Sequence, residues 1–215
     1  MSCYDLIIFD CDGVLVDSEP LTNRILAEMM SEAGWPTSTE FWMGHNGKTI
    51  KACIELAEKQ IGRALPVDFE EKYNQRIHKI LANQVQAIPG VRAVLKSLQN
   101  EGRAFCVASS APIAKMKVTL GKTGLWDIFA PNIFSATMVA RGKPAPDLFL
   151  YAAQKMGVDP SRCMVIEDSP SGAQAAKAAS MQCVGYAGNS AAPKDALRGA
   201  GAYLIVKMDE LLSLL

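Results

Sequence analysis

Apolar positions along the chain fall into two regimes. After residue 88, short apolar runs alternate with segments whose apolar residues recur every three or four positions. This pattern predicts helices over 91–99, 112–120, 147–156 and 171–179, and strands over 104–108, 133–135, 163–166, 182–186 and 203–206. The run Leu6-Ile7-Ile8-Phe9 supplies one more strand near the start. Strands alternating with helices of about ten residues imply right-handed crossovers and a parallel sheet covered on both faces. The expected fold is therefore α/β, with a Rossmann-like, doubly wound core. Residues 18–86 break the rhythm, because 21–33, 49–61 and 69–81 read as amphipathic helices with no strand among them. We expect a helical cap domain at 18–86, inserted into a catalytic core made of 1–17 and 87–215. Ligands of open parallel sheets bind beyond the carboxyl ends of the strands, so an insertion entering just after the first strand is expected to act as a lid.

Composition narrows the partners. Of 215 residues, 49% are apolar and 20% charged, as in a globular protein able to bury a substantial core. Lys plus Arg and Asp plus Glu both total 22, so no basic field draws the chain to nucleic acid or an anionic membrane, and neither is an expected partner. No apolar run is long enough to span a bilayer and no signal-type core precedes Asp5, which points to a cytoplasmic protein. Cys3, Cys11, Cys53, Cys106, Cys163 and Cys183 form no Cys-x-x-Cys pair and lie mostly in apolar stretches. They read as buried thiols in a reducing compartment. Cys11 has no histidine beside it to act as a base, so it is not a candidate nucleophile.

The candidate chemistry sits at predicted strand ends. Asp10-Cys11-Asp12-Gly13 follows the first strand; if the chain stayed extended, both aspartates would point the same way, and Gly13 then lets it turn. Adjacent carboxylates repel unless a cation or a proton sits between them. Taken alone, the pair reads first as capping a turn or helix after the strand. Ser109-Ser110 follows the next strand and precedes Pro112, where a hydroxyl and the free N–H groups of a helix start could hold an anion. Lys143 lies in Arg141-Gly142-Lys143-Pro144-Ala145-Pro146-Asp147, whose prolines restrict the backbone and so hold the ammonium in place. Glu167-Asp168 ends a further strand. Two acidic pairs on one sheet edge would make an all-oxygen site suited to Mg2+.

Taken in order across the chain, Phe9-Asp10-x-Asp12-Gly13, the Ser109 strand end, Lys143-Pro144 and Glu167-Asp168-Ser169 resemble the motifs of the haloacid dehalogenase (HAD) superfamily. The insertion resembles the helical cap of the subgroup that includes beta-phosphoglucomutase, phosphoglycolate phosphatase and small sugar-phosphate phosphatases. The resemblance implies a HAD-like fold in which Asp10 attacks phosphorus to give an aspartyl-phosphate. Asp12 would protonate the leaving oxygen and then take a proton from water. Ser109, Ser110 and Lys143 would hold phosphoryl oxygens. Mg2+ would be bound by the Asp10 carboxylate, the Asp12 carbonyl and the Asp168 carboxylate, with Glu167 binding directly or through water.

Departures within the family are informative. True dehalogenases lack an aspartate at the place of Asp12, because a halide needs no proton, so phosphoryl transfer is the expected chemistry. The mutases resembled here carry a histidine and an arginine at positions that fall at Thr22 and near Gly47, which weakens a mutase assignment, although Lys48 could substitute. Lys48 and Lys51 are candidates for the Schiff-base lysine that a phosphonoacetaldehyde hydrolase would need in its cap. Gly47-Lys48-Thr49 is not a nucleotide P-loop, since its first glycine would fall at Trp42 and no strand precedes it. His45, Asn46 and Lys48 are expected to face the site from the lid and read the leaving group; the alternative is a solvated turn capping the helix at Thr49. His78 reads as a solvated helix residue. The expected activity is a Mg2+-dependent phosphatase on a small phosphorylated metabolite, a sugar phosphate or sugar-acid phosphate. A hexose-phosphate mutase is the nearest alternative and a phospho-accepting signalling module a more distant one, opposed by the lid and by Asp12. A monomer is expected first and a dimer second.

Overall fold

The structure, a computed structural model, describes residues 4–45, 49–189 and 192–215. The chain forms two compact units, one of Met1–Asp17 with Gln86–Leu215 and the other of Ser18–Val85. No helix among the described residues is long and apolar enough to cross a membrane.

In the first unit, strands β1 (Leu6–Phe9), β2 (Ala104–Ser109), β3 (Ile133–Ser135), β4 (Cys163–Glu167), β5 (Gln182–Tyr186) and β6 (Tyr203–Ile205) form one sheet in the order β3-β2-β1-β4-β5-β6. Every pairing is parallel. All four β1 residues are fully buried, which is why the run is apolar without alternation: both faces of a parallel strand are covered. Helix α5 (Val91–Asn100) turns Val91, Val94, Leu95 and Leu98 inward at helical spacing, so its apolar stripe faces the core. Helices α6 (Ile113–Lys122), α7 (Trp126–Phe129), α8 (Asp147–Met156), α9 (Pro170–Ala178) and α10 (Lys194–Gly199) complete the layers. Gly172, Ala173, Ala175 and Ala176 of α9 are buried, and their small side chains let this helix lie close to the sheet.

The second unit contains α1 (Glu19–Glu32), α2 (Thr39–Met43), α3 (Ile50–Ile61) and α4 (Phe69–Gln84). Helix α1 packs against α2 and α4 through a face that buries Ile25, Leu26, Met29 and Met30. Trp35, Phe41 and Trp42 meet edge to face, with ring centroids 5.1–5.7 Å apart, and Trp42 Nε1 donates to Thr37 Oγ1 at 2.9 Å.

Element ends differ from the expected ones for local reasons. Strands β2 and β4 run on to Ser109 and Glu167 because their ladders continue, Ser109 opposite Ser135 and Glu167 opposite Gly185. Strand β6 stops at Ile205, since the next two N–H groups turn to Glu210 Oε1, at 3.1 Å from Val206 and 2.7 Å from Lys207. Helix α9 begins earlier, at Pro170, because Ser169 accepts from Gly172 N at 3.0 Å and proline suits a first helical position. Pro112 flanks α6 rather than opening it. Helices α2, α7 and α10 are too short for periodicity to announce them. Cys11, Cys53, Cys106, Cys163 and Cys183 are buried thiols outside any disulfide, in keeping with the sequence reading.

Candidate active site

Strand order reverses direction at β1. The chain builds β2 and β3 on one side of it and then returns to place β4 on the other, and such a reversal leaves a crevice beyond the strand ends. Phe9 lies opposite Ile166, and Asp10 N donates to Ile166 O at 2.9 Å, so the residues following β1 and ending β4 emerge side by side.

Into this crevice comes Lys143. Its Nζ donates to Asp10 Oδ1 at 2.5 Å, Glu167 Oε1 at 2.6 Å and Ala108 O at 3.1 Å, which occupies all three ammonium protons. The ammonium also lies 4.9 Å from the centre of the Phe149 ring. The Lys143 side chain is only 3% exposed. Its loop is closed outside by Arg141, which forks onto Asp147 at 3.1 and 2.8 Å. One ammonium thus faces two buried carboxylates. Burial, opposed by Lys143 and reinforced by the charge of Glu167, pushes the Asp10 carboxyl up to about 7. Burial works against the Lys143 ammonium, yet Asp10 and Glu167 outweigh it and hold the group protonated.

Asp12 has a different lysine. Lys115 Nζ on α6 donates to Asp12 Oδ2 at 2.8 Å. Burial would lower the Lys115 pKa, but the Asp12 carboxylate and its hydrogen bond raise it overall. The chain does not stay extended beyond Asp10. Gly13 takes φ +78°, Gly13 N bonds Val16 O, and Leu15 N and Val16 N both return to Cys11 O. The turn sends the two carboxylates to separate ammonium groups. Sequence reasoning missed Lys115, which reads as an ordinary helix lysine, and no local signal sets it apart from Lys117 or Lys122.

Glu167 is held from both ends. Oε1 accepts from Lys143, while Oε2 accepts from Asp168 N at 3.0 Å, Ser169 N at 2.9 Å and Ser169 Oγ at 2.8 Å. Gly172 makes the room, since a Cβ there would sit 1.8 Å from Oε1. With its oxygens so engaged, Glu167 fits an anchor for Lys143 better than a direct metal ligand. Asp168 lies at the other acidic motif: its Oδ2 is 1.9 Å from where a Gly13 Cβ would be, so glycine leaves the cradle for this carboxylate against the Asp10–Gly13 turn. Among the described residues, no three His, Cys, Asp or Glu side chains gather into a ligand cluster. Two carboxylates and a backbone carbonyl nevertheless fit Mg2+, which keeps several waters and takes its other oxygens from phosphate.

Ser109 is buried, and its Oγ accepts from Ala111 N at 3.2 Å; Ser110 beside it is exposed. Ser135, also missed from sequence, is fully buried and donates from Oγ to Ala111 O at 2.8 Å, tying the turn after β2 to the end of β3. The structure therefore brings Asp10, Asp12, Ser109, Ser110, Lys143, Glu167 and Asp168 to one end of the sheet. His45 belongs to the helical unit and has local partners. Its Nδ1 donates to Phe41 O at 2.8 Å and its ring lies 4.5 Å from that of Phe41. Asn46 and Lys48 lie outside the described residues, as does Cys3.

Residues 4–180 match the family model for a haloacid dehalogenase-like hydrolase. The chain is 30% identical over 184 residues to 6-phosphogluconate phosphatase of Escherichia coli (strain K12), covering 85% of this chain and 82% of that one. To fructose-1-phosphate phosphatase YqaB of the same organism it is 32% identical over 185 residues, covering 84% and 95%. Among solved structures, a haloacid dehalogenase-like protein of unknown function from Agrobacterium tumefaciens superposes with a TM-score of 0.88 at 37% identity, covering 98% and 97%.

Proposed function

Because the chain belongs to the haloacid dehalogenase-like hydrolases, and is by that kinship a phosphoric monoester hydrolase, we propose that it is a cytoplasmic, Mg2+-dependent phosphatase acting through an aspartyl-phosphate. Its substrate is a sugar phosphate or sugar-acid phosphate, the class named in the relatives above. The observation that carries the reading is the unequal pairing of two neighbouring carboxylates. Asp10 is buried against Lys143, and Asp12 is held separately by Lys115.

In this mechanism an Asp10 carboxylate oxygen attacks phosphorus as the bond to the leaving oxygen breaks, and Asp12 gives that oxygen its proton. Water then attacks the phosphoryl group, loses a proton to Asp12, and frees Asp10 and phosphate. Ser109, the N–H groups of its turn and Lys143, which exchanges its contact with Ala108 O for substrate, hold the phosphoryl oxygens, and Glu167 keeps Lys143 in place. Asp10, the Asp12 carbonyl and Asp168 would hold Mg2+, whose positive charge would offset repulsion between nucleophile and phosphate.

Phosphate release and isomerisation, measured with Mg2+ against a panel including 6-phosphogluconate and fructose 1-phosphate, test the reading. We expect phosphate release, and Asp10→Asn should lower it at least about a thousandfold while melting as a folded protein. Undiminished release by that variant would remove Asp10 as nucleophile. Isomerisation with little free phosphate would instead favour a mutase.

A further inference from the structure

Lys115 has no role in the steps above, yet its contact with Asp12 constrains the carboxylate on which both proton transfers depend. The two residues are 103 positions apart in sequence and meet at 2.8 Å. One helical turn further along α6, Thr119 Oγ1 lies 3.9 Å from Cys11 Sγ, and Thr119 is 1% exposed. Residues four apart share a helix face, so α6 grips two consecutive residues of the catalytic turn, one by charge and one by packing. The helix is a firm base, because Met116 and Leu120 are fully buried in the core. An aspartate side chain without such a partner divides its time among several rotamers.

We propose that Lys115 is a positioning residue for proton transfer. By holding Oδ2 it aims the other Asp12 oxygen at the oxygen that departs with the organic part of the substrate, and then at the attacking water. The proposal rests on the phosphatase reading above. In the first half-reaction the proton passes from Asp12 to the leaving oxygen as the phosphorus–oxygen bond breaks. In the second, water gives a proton to Asp12 as its oxygen bonds phosphorus and the Asp10–phosphorus bond breaks. Lys115 keeps its own protons throughout. The Lys115 and Asp12 side chains are 33% and 26% exposed, and an ion pair so placed contributes little to stability, so its effect belongs in the rate.

The test compares two leaving groups with the Mg2+-loaded enzyme. An alkyl leaving group, as in fructose 1-phosphate or 6-phosphogluconate, needs the proton from Asp12; the nitrophenolate of p-nitrophenyl phosphate does not. Because kcat/KM reports only steps up to the first irreversible one, it isolates transfer to Asp10 for both. We expect Lys115→Met to lower kcat/KM for the sugar phosphate about 10- to 100-fold, part of what a positioned acid contributes. For p-nitrophenyl phosphate it should change less than about threefold, and Lys115→Arg should recover most of the loss. The ratio of the two substrates within one preparation does not depend on how much of the variant is folded. Equal losses on both substrates, or no loss on the sugar phosphate, overturn the proposal and leave the phosphatase reading standing. A wild type that releases phosphate from neither substrate overturns both.

Discussion

In the helical unit the ion pairs Arg24–Glu28, Lys72–Asp68 and Arg76–Glu32 all lie at the surface, each partner more than 40% exposed. In the core unit Lys143 and Glu167 are 3% and 1% exposed, with Asp10 at 10%, and three charges share one enclosed space. The surface pairs join residues already held by their helices and gain little in water. The enclosed cluster is costly to assemble, since burying charge is repaid only by close geometry and full hydrogen bonding. A chain keeps such a cluster where the charges have something to do. The contrast sets the strand ends apart from the helical unit's ion pairs without any appeal to motif, in line with the site proposed above.

Three measurements can break or sharpen that contrast. The largest effect is expected from Glu167→Ala, which takes one of two carboxylates from the buried Lys143 and removes the acceptor of the Asp168 and Ser169 N–H groups. A loss of about 3 kcal/mol in denaturant melts is expected; a loss as small as that of a surface pair would show the cluster to be no more than ordinary. Next comes pH. Burial raises the Asp10 carboxyl from 3.8 to about 7, so the folded state binds its proton more tightly than the unfolded chain. That contribution is fully present below 3.8 and is lost as pH rises through about 7. Metal-free protein should therefore lose about 4 kcal/mol across this window relative to Asp10→Asn, with the difference shrinking when Mg2+ is added. A parallel pH profile for the two proteins would deny the buried carboxyl any such burden. The smallest effect is expected from Arg76→Ala, which opens the bidentate contact with Glu32 at 2.8 Å. It should cost no more than about 0.5–1 kcal/mol, and a multiple of that would place structural weight on the helical surface.

How much of this was readable in the sequence depended on whether the cause was local. Strand β1 is legible because four consecutive apolar residues cannot all be solvated, and Gln182–Tyr186 and Asp147–Met156 are legible from their periods alone. Helix α7, four residues long, offers less than two turns of pattern. Asp10, Ser109, Lys143 and Glu167 could be placed together because each ends a strand, follows one or lies in the loop leading from one, and strand ends share one edge of a parallel sheet. Lys115 could not, because what distinguishes it from Lys117 or Lys122 is the direction in which α6 lies over the turn after β1, which only the packed structure supplies. The duty of Glu167 was likewise hidden. Its acidity is in the sequence, but the space under Gly172 that commits it to Lys143 is a property of the folded chain.

Asp17 N donates to Gln86 O at 2.9 Å, and Val16 pairs with Ala87 across an antiparallel bridge. The stretch 18–85 thus leaves and rejoins the core through a gap already stitched shut by the backbone. For the sheet it has the standing of a tight turn, whatever its length. Its content is free to be exchanged as a cassette between Asp17 and Gln86 while the strand ends keep their register.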